Sequence, residues 1–340
     1  MKLILENWRK YLKENEEESY ESKVVRLFMS SDPGNQRQGV YFLESGLVDK
    51  QEVLRLLKEA LQTAGEEKQD QIMEAMSSIE FDNDIFLALL ESIIDSDGNL
   101  ELNHAPIKSL PAGLNIGGSL DLRNTQIKSL PADLQVGGDL DLYNTPIKSL
   151  PAGLKVGGSL WLHNTPIKSL PAGLKVGGSL DLRNTPIKSL PAGLKVGGSL
   201  ELNHTQIESL PAGLKVGGDL DLSHTPIKSL PAGLKVGRNL ELHHTPIRTL
   251  PADLEVGGDL DLSHTPIKSL PAGLKVGGSL YLYNTQIKSL PAGLKIKRWI
   301  YGLLNDDGVL SGLDVENLGH ADLKESMGLT IDWRNFKGKR

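Results

Sequence analysis

The stretch "SLPAGLKVGGSLDLRNTPIK", residues 169–188, decides the fold, because nearly the same twenty letters return ten times between Glu101 and Ile300. A fixed internal period outranks chain length as a guide to architecture. Take Glu101, Asp121 and their equivalents as position one of each coil. Leucine then fills positions twenty and two, as in Leu120 and Leu122, and is followed by Ile127, Leu130, Leu134 and Val136. Alternation about Leu120 and Leu122 predicts a short strand whose Asp121 and Arg123 point the other way. One coil cannot bury its own leucines, whereas stacked coils share a continuous core.

Backbone punctuation sets the corners. A glycine pair such as Gly157 and Gly158 precedes each strand where the chain must reverse. Arg238 replaces the second glycine of one pair, while the first is glycine in all nine coils from Gly117 to Gly277, so a positive φ is expected at the first. Proline in "SLPAGL", and often in "TP", excludes helix and predicts extended or polyproline segments on the outer side, with coils stacked almost flat. Threonine holds position five in nine of ten coils, from Thr125 to Thr285, with Ala105 in the first. Its hydroxyl is expected to bond neighbouring backbone in a ladder from coil to coil.

If the leucines face inward, positions nineteen, one and three form the outward surface. Position one reads Glu101, Asp121, Asp141, Trp161, Asp181, Glu201, Asp221, Glu241, Asp261, Tyr281, and position three reads Asn103, Arg123, Tyr143, His163, Arg183, Asn203, Ser223, His243, Ser263, Tyr283. Equivalent residues of adjacent strands lie about 4.8 Å apart. Tyr143, Trp161 and His163 are therefore expected to touch or nearly touch, flanked by Asp141, Asp181, Arg123 and Arg183. Aromatic and arginine side chains are enriched at binding hot spots, though large rings also stack to stabilise a sheet. Tyr281 and Tyr283 form a lesser candidate patch.

The acidic column lacks the six to eight oxygens that calcium takes, and reads as a solvated face opposite the lysines at positions eight and fifteen. His204, His224, His244 and His264 fill position four in consecutive coils, where five other coils carry Asn, so they read as interchangeable hydrogen-bonding residues rather than metal ligands. Protonating such a row is expected to destabilise the array near pH 5–6. "DSDGN" at 95–99 resembles a calcium loop, but its glycine falls at the fourth place instead of the sixth. No phosphate-binding glycine loop occurs, because each glycine pair leads into a strand, and residues repeated ten times are scaffold. No metal site, cofactor or catalytic constellation is assigned, and the chain reads as a non-enzyme.

Outside the array the period is lost. Residues 1–98 read as a helical domain that caps the solenoid. A first amphipathic helix carries Ile4, Trp8, Tyr11 and Leu12; others start at Asp32–Pro33 and Asp49, the last ending at Gly65, and two more cover 66–79 and 83–94. Residues 301–340 read as a terminal cap and basic tail. The first segment holds 11 Lys/Arg and 21 Asp/Glu, so the chain has no basic stripe there, and a nucleic-acid partner is not expected. Cysteine is absent, which removes disulfides and thiolate chemistry. No apolar run reaches the ~20 residues of a membrane span, and the N-terminus lacks the pattern of a secretory signal, so a cytoplasmic or host-intracellular location is expected.

The motif "LxLxxTxIxxLPxxL", as in "LWLHNTPIKSLPAGL" from Leu160, resembles the leucine-rich repeat, and the Leu-Pro pair at a twenty-residue period is similar to the short bacterial LPX type of secreted effectors. Thr stands where that repeat usually has Asn, and Gly where its first Leu is expected. Effectors of this type that are ubiquitin ligases carry a C-terminal cysteine domain, which the forty-residue tail does not match, so ligase activity is not implied. "MKLILENWRKYL" is similar to short N-terminal peptides of tailed-phage proteins, some cut after Ile/Leu-x-Glu as Ile4-Leu5-Glu6 would allow, which would fit virion association. The resemblance implies a leucine-rich-repeat β-solenoid with short parallel strands, to which the residues themselves add an extended or polyproline outer side and an α-helical N-terminal domain. It also implies a protein partner for the strand face. A structural rod about 48 Å long at sheet spacing and a glycan-binding face are the alternatives.

Overall fold

The computed structural model describes residues 19–302 apart from 31, 45–47, 64–85, 88–89, 92, 106 and 288–289. The expected first helix, the helix over 66–79, the Gly65 stop, the phage-like peptide and the tail beyond 302 lie outside the described residues. Within them the chain is a parallel β-solenoid. Two-residue strands from Leu100–Glu101 to Ile300–Tyr301 form an eleven-stranded sheet, and a second, ten-stranded sheet runs from Asn115–Ile116 to Lys295–Ile296. In both, each strand pairs in parallel with the strand twenty residues on, for example Leu180 with Leu200 and Val176 with Val196. The outer side, expected from its prolines to be extended or polyproline, is extended and carries this second sheet, which the periodicity did not single out. Its strands hold one inward Val or Ile and one outward polar residue, most often Lys, too short for alternation to register.

Between the sheets lies the core of position-two, seven, ten, fourteen, sixteen and twenty side chains, with Leu180, Leu182 and Ile187 fully buried. Strand N–H groups of the first sheet donate to the next coil, as Leu180 N does to Ser199 O at 2.8 Å and Leu182 N to Glu201 O at 2.9 Å. Identical letters therefore stack on themselves, and every coil repeats the solution of its neighbour.

The glycine pair needs correcting. No glycine of the pair has positive φ. Positive φ belongs to position thirteen, as at Gly173 (73°), and to position four, where all ten Asn or His residues lie between 55° and 62°. Asn and His are among the few side chains that enter this left-handed region at modest cost, which explains why position four carries nothing else. Within the stack the first of the pair is glycine because adjacent coils approach closely there, and only in the last coil, with no further repeat after it, does Lys297 take that place. One built on Gly177 would overlap the Gly157 carbonyl oxygen, whereas on Gly117, at the start of the stack, it would meet nothing within 4 Å. At the second place, Arg238 and Arg298 are accommodated with the N–H to the preceding coil at 3.1 Å, against 2.7–2.9 Å where glycine stands.

Threonine also bonds differently from expectation. Thr185 Oγ1 donates to Leu182 O at 2.7 Å, within its own coil, and the other position-five threonines from Thr125 to Thr285 do the same. The hydroxyl closes the turn after each strand. The ladder from coil to coil runs instead through position nineteen: Ser199 N donates to Ser179 Oγ at 3.0 Å, Asp219 N to Ser199 Oγ at 3.0 Å and Asn239 N to Asp219 Oδ1 at 2.9 Å. Every residue there from Asn99 to Ser279 is Ser, Asp or Asn, each offering a short side-chain acceptor. Position nineteen is thus structural, not the free surface the sequence suggested.

N-terminal to the array, α1 (Tyr20–Phe28) packs against α2 (Pro33–Glu44) and α3 (Lys50–Thr63). Asp32 caps α2 by accepting from Gly34 N at 2.9 Å, and Asp49 caps α3 by accepting from Gln51 N at 2.9 Å. Buried Val24, Phe28, Phe42, Val53 and Leu57 join the helices. The Gln36 amide donates to Phe28 O at 3.0 Å and Ser30 O at 2.9 Å, satisfying the end of α1. The Asp95 loop is a turn, not an ion loop: its carboxylate accepts from Asp97 N at 2.9 Å and Asn99 N at 2.8 Å, bonds that hold its pKa below the usual carboxylate value. Among the described residues no helix is long and apolar enough to cross a membrane.

Candidate functional site

Outward residues of the first sheet divide into three neighbourhoods. Position-one aspartates first do a backbone task. Asp121, Asp141, Asp181, Asp221 and Asp261 each accept from the N–H two residues on, at 2.8–3.0 Å. Position three is held by that bond, so its side chain leaves the strand at a fixed angle.

The central neighbourhood is the one the sequence singled out. Tyr143 and His163 do stack, with centroids 4.2 Å apart and planes 21° from parallel. Trp161 joins neither ring among the described contacts. It sits in the position-one row between Asp141 and Asp181, and its side chain remains 41% exposed. His163 Nδ1 lies 3.2 Å from Asp181 Oδ2 but is not aligned for a hydrogen bond. Asp181 itself is buried and held by the Arg183 guanidinium, with Nη2 at 2.6 Å and Nε at 3.0 Å. Arg123 pairs likewise with Asp121 at 2.7 Å. Both arginines therefore flank the rings as neutralised pairs rather than as free cations. Asp141 has its pKa raised, by burial first and then by Asp121, against the lowering bond from Tyr143 N. Beside Trp161 a shallow groove of about 280 Å³ is lined by Glu101, Asp121, Arg123, Asp139 and Asp141.

At the C-terminal end, Tyr281 stacks on Tyr301 at 4.9 Å and 15°, not on Tyr283, which is 47% exposed. Trp299 and Tyr301 enlarge this aromatic surface. They were missed because the sequence loses its period there, although Tyr301 still occupies position one of a further strand. Six coils separate this surface from Trp161, about 29 Å at strand spacing.

Between them lies an acidic row: Glu201, Asp221, Glu241 and Asp261 follow Asp181 on consecutive strands. The arginines of position three stop at Arg183, and Ser223 and Ser263 take their place. Burial pushes the Glu201 carboxyl up to about 7, helped by Asp221, and pushes Glu241 up to about 7, helped by Asp261. Glu241, His243 and Asp261 bring one ligand atom each to within 4.8 Å of one another, a grouping the sequence reading did not make. Beside this row His204, His224, His244 and His264 are stacked 4.3–4.7 Å apart. Burial, then His204 and His244, lowers the pKa of His224.

These shifts oppose each other across pH. Glu201 and Glu241 hold protons in the fold that the unfolded chain has lost, so their contribution falls as pH rises from about 4.5 towards 7. His224 resists the proton that the unfolded chain accepts, so its contribution falls as pH drops below the ordinary imidazole value of 6.5. The double variant Glu201→Gln, Glu241→Gln is expected to gain melting temperature over the parent at pH 8 and little at pH 4.5. His224→Asn is expected to flatten the loss between pH 7 and 5. Melting curves of both variants across this range test the pair, and an equal gain for the Gln variant at all pH values would rule out the carboxylate assignment.

No protein-family model matches the chain, and no curated protein matches it. Among solved structures, the leucine-rich effector protein YopM from Yersinia pestis is similar at 15% identity, covering 74% of this chain and 91% of that one, with a TM-score of 0.37. A leucine-rich-repeat protein from Leptospira interrogans is similar at 18% identity over 64% of this chain and 73% of that one, with a TM-score of 0.30. YopM from Yersinia enterocolitica has 17% identity, coverages of 70% and 75%, and a TM-score of 0.20. Superpositions this loose leave the fold to rest on the coil geometry itself, which is that of a leucine-rich-repeat solenoid: short parallel strands, inward leucines and a twenty-residue turn.

Proposed function

We propose that this chain is a non-catalytic interaction module that presents the strand face of its solenoid to a protein partner, with Trp161 as the anchor. The observation that carries this reading is the exposure of Trp161, a large indole on a sheet whose other position-one residues from Asp121 to Asp261 are carboxylates. An indole beside Glu101, Asp121, Asp139 and Asp141 suits a lysine or arginine of the partner, which would lie on the ring face while meeting the carboxylates. Tyr143 and His163 add a stacked pair of rings to the same face, and Asp181, itself held by Arg183, lies 3.2 Å from His163 Nδ1. In this reading residues 1–98 and 301–340 cap the two ends of the array, and no cofactor takes part.

The test is capture with three purified proteins of matched melting temperature: the parent, the triple variant Tyr143→Ser, Trp161→Ser, His163→Ser, and a control carrying Ser for Lys155, Lys175 and Lys195 on the other sheet. A partner captured by parent and control, and at least tenfold less by the triple variant, is the expected result; tenfold corresponds to about 1.4 kcal/mol. Equal capture by all three removes the patch and favours the structural rod, in which surface letters do not matter. Signal on a carbohydrate array that the triple variant loses would assign the same face to a glycan.

A further inference from the structure

We propose that Glu241, His243 and Asp261 form a binding site for a divalent cation of the zinc type. It is separate from the Trp161 surface and does not depend on that surface's function.

His243 Nδ1 lies 3.7 Å from Glu241 Oε2 and 3.7 Å from Asp261 Oδ2, too far to bond either and placed between both. That nitrogen is buried and has no hydrogen-bond partner. A tetrahedral ion with nitrogen and oxygen ligands at about 2.0–2.2 Å separates its ligand atoms by about 3.4 Å, so small side-chain rotations close the set. The imidazole is already oriented: it packs edge-on against His224 at 5.5 Å and His244 at 5.7 Å, which aims Nδ1 towards the carboxylates.

Ser263 supplies an independent sign. It follows Asp261 by two residues, and its carbonyl pairs with His244 N, which sets it beside His243 on the outward face. It is only 6% exposed, yet its hydroxyl has no partner. A buried hydroxyl without a partner on the strand next to His243 is available to accept or donate to a metal-bound water.

The repeat provides its own comparison. His163 and Asp181 occupy the same two positions four coils earlier, but there Arg183 occupies the carboxylate at 2.6 Å. Where that arginine would stand, the Asp261 coil has Ser263, so the carboxyl groups of Glu241 and Asp261 have no arginine partner from that position. The charges acting on Glu241 are acidic, Asp261, Asp221, Asp259 and Asp219, and Arg238 lies 3.9 Å from Asp219 with its side chain 71% exposed. Two carboxylates and one imidazole are a donor set that suits zinc better than calcium, which prefers six to eight oxygens.

The experiment uses the full chain freed of metal by dialysis against a chelator, then titrated with Zn²⁺ against a chromogenic zinc chelator and with Co²⁺ by visible absorption. One zinc per chain, with a Co²⁺ spectrum of low coordination number, is expected. His243→Asn should weaken zinc at least tenfold, and Asn already stands at this position as Asn103 and Asn203, so the variant keeps the coil's own alphabet. Ser263→Arg, copying Arg123 and Arg183, should abolish binding without removing a ligand. The pair His204→Asn, His264→Asn, which alters the ends of the imidazole stack and not this cluster, should leave affinity within twofold. No zinc bound at micromolar concentration overturns the proposal. So does binding that survives His243→Asn, or that is lost in the His204, His264 pair.

Discussion

Gly177→Ala is expected to destabilise the solenoid by about 3 kcal/mol, although the backbone there is comfortable for alanine. The added Cβ would overlap the Gly157 carbonyl oxygen and reach its carbonyl carbon at 2.9 Å. Neither atom can swing aside, because Gly177 N is itself bonded to Val156 O and Gly178 N to Gly158 O. The coils must separate, and separation weakens both sheets at once. Two further alanines calibrate the effect. Gly173→Ala meets nothing within 4 Å but enforces φ of 73° on a side chain, a cost of about 1 kcal/mol that the backbone can lower by relaxing. Asp133 and Asp253 show the relaxed form, since they hold position thirteen without positive φ. Gly117→Ala has neither obstacle and should change stability by less than about 0.5 kcal/mol. Urea unfolding of the three variants gives the order. Finding Gly173→Ala worse than Gly177→Ala would return the explanation to backbone conformation.

Why the sequence ranked the glycines correctly and explained them wrongly is instructive. Comparing copies showed that the first glycine tolerates less than the second. What it could not show is the separation of neighbouring coils, a property of the stack and not of any one turn. Periodicity made Leu120, Leu122, Ile127, Leu134 and Val136 legible as core, because inward side chains must be apolar whatever the coil's path. It did not reveal the second sheet, whose strands are two residues long. Alternation places position nineteen outward with positions one and three, but the acceptor atoms of its Ser, Asp and Asn residues are committed to the next coil. At the candidate patch, strand spacing foretold the Tyr143–His163 stack but not that Trp161 stands apart, nor that Asp181 absorbs Arg183. The Glu241, His243, Asp261 cluster was invisible for a related reason. Its three members come from two columns and two coils, and periodicity reports each column separately.

Leu202→Ala should have the other large effect, and its signature lies in where the damage appears. Leu202 is fully buried between Leu182 and Leu222, themselves fully buried, and its N–H pairs with Asp221 O. Truncation removes apolar contact and leaves a cavity, which costs about 2–5 kcal/mol in a well-packed core. A backbone bonded on both sides cannot collapse to fill it, so the upper part of that range is expected. In a solenoid each coil touches only its neighbours, so the loss is carried by the two interfaces beside this coil and not by the whole chain. Hydrogen exchange read by peptide is therefore expected to rise steeply in residues 181–240 while coils near Leu120 and Leu280 keep most of their protection. The coupling between the halves weakens, and denaturant unfolding should broaden with a lower apparent slope. An exchange increase of the same size in all ten coils would show instead that the array opens as one cooperative unit. In that case stacking free energy per interface must far exceed the cost of a single missing leucine.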